Sequence, residues 1–221
     1  MASNEPQRIG IFVLKFNPTP AESAFTTTFS FLNENEVGEP PKCEKCGAFI
    51  GGLESLPPFH VELEILGKGW GDLAFGPGRA LLVSKRFKES FEEKALNGLS
   101  QFESVEIVSA SGKNRNNGKT EFFHPKILRS NVRINHLQSG MEEPPTCNHC
   151  LSSGLFKRIK KVVIQPDSWH GEDIFFPLGL PGTILTSEKF REFCHQNSFT
   201  NVVLVPGENY RLDFYSWETK A

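Results

Sequence analysis

Four of the five cysteines in this chain stand as two Cys-x-x-Cys pairs, Cys43/Cys46 and Cys147/Cys150. Two intervening residues let the backbone turn so that both thiolates face one ion, and N–H groups of the turn can donate to the sulfurs. Zinc takes four ligands in a tetrahedron, at ~2.3 Å when they are thiolates, and each pair supplies half of that set. From Cys46 to Cys147 is 101 positions, too far for a local hairpin. The fold must therefore carry one half-site to the other. The pattern predicts a structural Zn²⁺ held by Cys43, Cys46, Cys147 and Cys150. A thioredoxin-like redox pair sits between a strand and a helix. Here both pairs follow Pro-Pro and lead into no obvious helix. The clustered spacings of an iron–sulfur protein are missing as well. Cys194, alone in Phe193-Cys194-His195, reads as a small buried residue on a helix.

Other residues that could do chemistry are scattered. The stretch Ser111–Thr120 has the look of a phosphate loop, but five residues separate Gly112 from Gly118, where a P-loop has four. No helix follows, so an anion would lack the ring of N–H donors at a helix start. It reads as an exposed basic loop between strands. Lys157-Arg158-Ile159-Lys160-Lys161 reads as a solvated strand face. The six histidines, 60, 124, 136, 149, 170 and 195, form no metalloprotease motif, although His149 sits inside the second pair and could replace a cysteine as ligand. Asp72 and Asp173 occupy equivalent places after Trp70 and Trp169, as a divided catalytic pair would, but a repeated Asp is more commonly a turn or capping residue. No nucleophile, base and oxyanion donor assemble, so the sequence points away from an enzyme.

The elements that must position the cysteines come in two sets. Glu39-Pro40-Pro41-Lys42-Cys43 matches Glu143-Pro144-Pro145-Thr146-Cys147 at an offset of 104. Trp70–Phe75 resembles Trp169–Phe176, and Leu82–Glu89 resembles Leu185–Glu192 at an offset of 103. Three matches in one order predict two pseudo-equivalent tandem repeats, residues 1–110 and 111–221, each running knuckle, strand, Trp-containing turn, strand, helix, strand. Ser84 and Ser187 are good N-caps. Beyond Ser84, Phe87, Phe91 and Ala95 fall on one helical face; beyond Ser187, Phe190 and Cys194 do the same. Ile9–Phe16, Ser104–Val108, Glu121–Ile134 and Val202–Val205 read as strands. The expected fold class is α/β in the α+β sense, with more strand than helix. The two repeats are expected to form one compact, composite body around the paired Cys-x-x-Cys site.

With 221 residues, 38% apolar and 23% charged, the composition is that of a globular chain, not a disordered one. Twenty phenylalanines against two tyrosines and three tryptophans imply an aromatic core. A net charge of -2 argues against a generally basic nucleic-acid binder. The aliphatic runs are far shorter than the ~20 residues of a membrane helix. The first residues lack the basic and apolar regions of a secretory signal. A cytoplasmic, reduced protein is expected.

Together these features resemble one family, the double-CXXCG-motif immunity proteins, best known as paralogous sets in myxobacteria. The resemblance rests on Cys43-Glu44-Lys45-Cys46-Gly47, on Cys147-Asn148-His149-Cys150 after Pro-Pro, on the stretch from Trp70 to Phe87, and on Ile184–Phe190. It spans nearly the whole chain. One position departs from it: Leu151 follows Cys150 where the family has the Gly that permits a turn with positive φ. The resemblance implies a non-enzymatic, zinc-binding protein that binds and neutralises a cognate protein toxin delivered by neighbouring cells. The loops at Asn33–Val37 and Gly112–Lys119 are polar and are candidates to reach that toxin. The alternative reading is a zinc-ribbon-like, nucleic-acid-associated protein using Lys113, Arg115, Lys119 and the Lys157–Lys161 cluster.

Overall fold

A computed structural model of the chain describes residues 9–16, 24–32, 37–152 and 158–213. In chain order the elements are β1 (Ile11–Lys15), β2 (Thr27–Phe31), β3 (Phe59–Ile65), β4 (Leu73–Phe75), β5 (Leu81–Ser84), α1 (Lys85–Glu93), β6 (Leu99–Ser111), β7 (Phe122–Arg133), β8 (Arg158–Ile159), β9 (Ile174–Leu178), β10 (Leu185–Ser187), α2 (Glu188–Gln196), β11 (Val203–Pro206) and β12 (Leu212–Asp213). A ten-stranded mixed sheet runs β11-β1-β10-β9-β7-β5-β4-β2-β3-β6, and β8 pairs separately with β12. With two helices on a mixed sheet, the fold is of the α+β kind, richer in strand than in helix. No helix among the described residues is long and apolar enough to cross a membrane.

Strand β6 also pairs with β7, so the strands from β7 through β5, β4, β2 and β3 to β6 close on themselves. Every second residue of β3, namely Phe59, Val61, Leu63 and Ile65, is buried, which is the period of a strand with one face in a core. Val61, Leu63 and Ile65 pack with Phe29, Trp70 and Phe122.

The two helices start as their sequences predict. Ser84 accepts a hydrogen bond from Phe87 N at 3.2 Å, and Ser187 accepts one from Phe190 N at 3.1 Å. Phe87, Phe91, Phe190 and Phe193 then meet in a shared aromatic cluster with Phe199, at ring separations from 4.9 to 6.2 Å. Five of the twenty phenylalanines meet here. Ala95 is a correction to the expected stripe. Helix α1 stops at Glu93, Ala95 turns out with φ 48°, and Leu96 takes the buried place. Cys194 is buried on α2, as expected, and burial pushes its thiol up to about 12.

Strand pairing follows one register in two places. Ser84 of β5 faces Phe122 of β7, and Ser187 of β10 faces Ile11 of β1. Thr27 of β2 lies beside Ala74 of β4 in parallel, and Leu128 of β7 lies beside Phe175 of β9, also in parallel. The aspartates follow suit. Asp72 accepts from Ser84 Oγ at 2.9 Å and from Thr200 N at 2.8 Å, while Arg86 Nη2 reaches it at 2.6 Å. Asp173 accepts from Ser187 Oγ at 2.9 Å and from Asn97 N at 3.0 Å, with Lys189 Nζ at 3.3 Å. Each aspartate thus anchors the helix that follows it in sequence, and also the chain leaving the other helix. Both are buried and engaged in these bonds, an anchoring role behind the N-caps Ser84 and Ser187.

Candidate metal centre

Each Cys-x-x-Cys pair sits in a tight knuckle, the first between β2 and β3, the second between β7 and β8. In the first, Gly47 N donates to Cys43 O at 2.8 Å. In the second, Leu151 N donates to Cys147 O at 2.9 Å. Gly47 has φ 72°, and Leu151 has φ 57°. The leucine that replaces glycine therefore adopts the same left-handed turn, and the second knuckle keeps the geometry of the first.

Both knuckles lean on β7. Arg129 Nη1 donates to Ile50 O at 3.4 Å, just beyond the first pair, and Arg133 Nη2 donates to Asn148 O at 2.7 Å, inside the second. A Cβ on Gly51 would come within 2.3 Å of Arg129 Nη1, so glycine there leaves the guanidinium its place. One strand thus holds two turns that are far apart in sequence. All four sulfurs lie within 4.8 Å of one another. Cys43 Sγ is 4.0 Å from Cys147 Sγ, and Cys46 Sγ is 3.7 Å from Cys150 Sγ. Four thiolates at ~2.3 Å around a tetrahedral ion stand about 3.8 Å apart. The quartet fits a zinc-sized ion with small adjustment. His149 is exposed and is not part of the cluster.

The backbone around the sulfurs is built for negative charge. Cys43 Sγ is met by the N–H groups of Lys45 and Cys46, and Cys147 Sγ by those of Cys150 and His149. Cys46 Sγ is met by the N–H of Ala48, and Cys150 Sγ by that of Ser152. The donors thus stand at the same offsets in both knuckles. They bring Cys147 down to about 6, led by the N–H of Cys150. Burial pulls Cys43 upward, but its backbone donors outweigh that and leave it below the usual thiol value. Cys150 is pushed up to about 12, chiefly by burial. Cys46 is raised despite the Ala48 N–H, by burial and by the neighbouring sulfurs of Cys147 and Cys43. Four thiols this close cannot all ionise without a cation between them, and a divalent ion supplies that cation. The site could hold a metal ion such as zinc through Cys43, Cys46, Cys147 and Cys150.

The remaining residues singled out from sequence lie elsewhere. The loop at Gly112–Gly118 is bound to the turn before β4. Trp70 Nε1 donates to Arg115 O at 2.8 Å, Asn114 Nδ2 donates to Gly67 O at 2.9 Å, and Asn117 Nδ2 donates to Lys68 O. Lys113, Arg115 and Lys119 themselves are exposed. In the second basic cluster, Arg158 pairs with Glu142 at 3.5 Å and Lys160 rests on Gly140, while Lys157 lies outside the described residues. The two clusters are thus on separate elements. Of the Asn33–Val37 loop only Val37 is described; it is exposed and bridges to Ser55. Sequence reasoning passed over Arg129 and Arg133. Their only signal was a pair of cations four residues apart on a strand.

No protein-family model matches the chain, and no curated protein matches it in sequence.

Proposed function

We propose that this chain is a zinc-binding immunity protein, a cytoplasmic binder that neutralises a cognate protein toxin without chemistry of its own. The observation that supports the zinc part of the reading is the convergence of two knuckles, 104 residues apart, onto one four-sulfur cluster with matching N–H donors; the toxin-binding part rests on the sequence resemblance. In this reading the residues do structural work. Cys43, Cys46, Cys147 and Cys150 hold one Zn²⁺, which ties the knuckle of residues 1–110 to that of residues 111–221. The recurring strand register and the reciprocal Asp72 and Asp173 bonds support a tandem duplication in which each half clasps the other. A rigid body of this kind suits a stoichiometric inhibitor, because preorganised surfaces lose little entropy on binding. Recognition falls to local patches, since a net charge of -2 steers weakly.

The alternative nucleic-acid reading would use one continuous basic stripe joining Lys113, Arg115 and Lys119 to the Arg158–Lys161 segment, and salt-sensitive binding of nucleic acid would favour it over the toxin-binding reading.

The experiment is co-expression with candidate protein toxins taken from the genomic neighbourhood of this chain's gene. Protection of the cells, together with a 1:1 complex of purified chain and toxin, supports the proposal. Full toxicity with no complex, at normal levels of folded protein, rejects it. The Gly112–Lys119 loop is best probed by exchanging Lys113, Arg115, Asn116 and Lys119 only. Asn114 and Asn117 hold the loop in place, and replacing them would test stability instead.

A further inference from the structure

A cleft of about 380 Å³ opens beside the first knuckle. Its size lies within the range of small-molecule sites, roughly 300–1,000 Å³. One wall is the segment Gly51–Pro57 that leaves the knuckle; the others come from the turn at Pro77–Leu81, the start of β6, and β7. The cleft involves neither the metal ligands nor the Asp72 and Asp173 bonds.

Its lining has two characters. The floor is apolar and aromatic. The imidazole of His124 stacks on Phe59 with ring centres 4.5 Å apart, and Ile127 and Phe176 continue the surface. Leu53 and Leu56 stand at the edge, 59% and 46% exposed, and a molecule seated there would cover them. The rim carries charge. Arg129 is neutralised by Glu54 at 2.9 Å. Arg79 and Lys126 have no ion pair among the described residues, and one further acid, Glu103, lines the cleft. Burial lowers His124 to about 4, so it stays neutral at pH 7 and contributes no charge. One positive charge is left over.

The backbone adds a second observation. Arg79 has φ 71° and Gln101 has φ 48°, two of the six non-glycine residues in the left-handed region among the described residues, and both line this cleft. Strained residues concentrate at binding sites, where a particular side chain is needed despite its conformational cost. At Arg79 the cost would vanish with glycine, yet a cation is there.

We propose that this cleft is a binding site for a small organic monoanion with a flat apolar body. The body lies on the Phe59–His124 surface, and the acid group is drawn by Arg79 and Lys126. The proposal stands apart from the immunity reading and does not depend on zinc.

The test is a fluorescence titration of the zinc-loaded, reduced chain with 8-anilinonaphthalene-1-sulfonate, and with its neutral analogue N-phenyl-1-naphthylamine. Saturable binding of the sulfonate at one site per chain is expected. Arg79→Gly combined with Lys126→Gln should weaken the sulfonate about tenfold or more and leave the neutral analogue within about twofold. Arg79→Gly relieves the left-handed strain, so this variant should melt no lower than the parent. Leu53→Asp with Leu56→Asp should weaken both dyes. The proposal is overturned by the absence of a saturable site. It is equally overturned if the charge variant binds the sulfonate within twofold of the parent, or if sedimentation shows two copies of the chain burying this face and excluding the dye.

Discussion

The two knuckles reach the same backbone by different means. In the first, the left-handed position is Gly47, and a Cβ there would have nothing within 4 Å. The glycine serves φ alone. In the second, the position is Leu151, only 5% exposed and packed toward Gly179. A left-handed L-residue costs roughly 1–2 kcal/mol. Burying a leucine side chain returns about 1.5–3 kcal/mol. Burial offsets the strain, so the turn survives the loss of its glycine. Exposure on the two sides differs accordingly. Phe49, just beyond the first pair, is 60% exposed, whereas Leu151 is part of the interior. What a zinc knuckle requires is the conformation and its N–H donors, and glycine is one route to them.

The largest effect that could break this comparison is metal loss. If one ion joins both knuckles, Cys43→Ser and Cys147→Ser should be equally damaging. Each should lower unfolding free energy by several kcal/mol in reducing denaturant melts, given that structural zinc contributes ~10–16 kcal/mol in peptides. Strong zinc chelation of the parent should match them. A variant in one knuckle that melts like the parent, while the other collapses, would mean that the two turns are not joined.

Metal affinity should also depend steeply on pH. Cys46 and Cys150 hold their protons above the ordinary thiol value, so zinc must expel both. The metal-free chain binds more protons than the metal-bound one, and affinity therefore rises with pH. Between pH 6 and 8 it should climb at least about a hundredfold per unit, the mark of the two protons of Cys46 and Cys150 released together with any that Cys43 still holds. Below about 6 Cys147 adds a further proton and the slope steepens. Competition with a chromophoric chelator across that range measures it; a flat profile would mean that the site is not a four-thiolate one.

Side-chain burial separates the knuckles next. Leu151→Ala keeps the strain and loses the packing, and should cost about 2–4 kcal/mol. Phe49→Ala should cost no more than about 0.5 kcal/mol, as surface changes do. Equal values in urea melts would erase the proposed difference. At the small end, Gly47→Ala should cost about 1 kcal/mol, because φ 72° is unfavourable for alanine even in open space. By the same logic Leu151→Gly should be about 1 kcal/mol more stable than Leu151→Ala, the reverse of the order in a helix.

The cysteine quartet was legible because residue type and spacing are written locally, and thiolate chemistry leaves few other uses for two such pairs. The helices after Ser84 and Ser187 were legible for the same reason, through a cap and a period. What escaped was set by distant partners. Ala95 continues the i, i+4 arithmetic, yet α1 has ended before it, and Leu96 takes the buried place once the chain turns left-handed. The turn at Leu151 was hidden because sequence signals positive φ only through glycine or asparagine, while here tertiary burial enforces it. Pairing of β1 with β10 and of β7 with β5 joins residues more than a hundred and about forty positions apart, respectively, and no local pattern records such a register. Arg129 and Arg133, which hold the knuckles to β7, look like any strand cations until the turns are in place.

The central claim is that one metal ion is held by both knuckles, and zinc K-edge absorption on the reduced, zinc-loaded chain tests it most directly. The account predicts one zinc per chain with four sulfur neighbours at ~2.3 Å. A reduced, folded chain that takes up no zinc, or a zinc shell with fewer than four sulfurs, would contradict it.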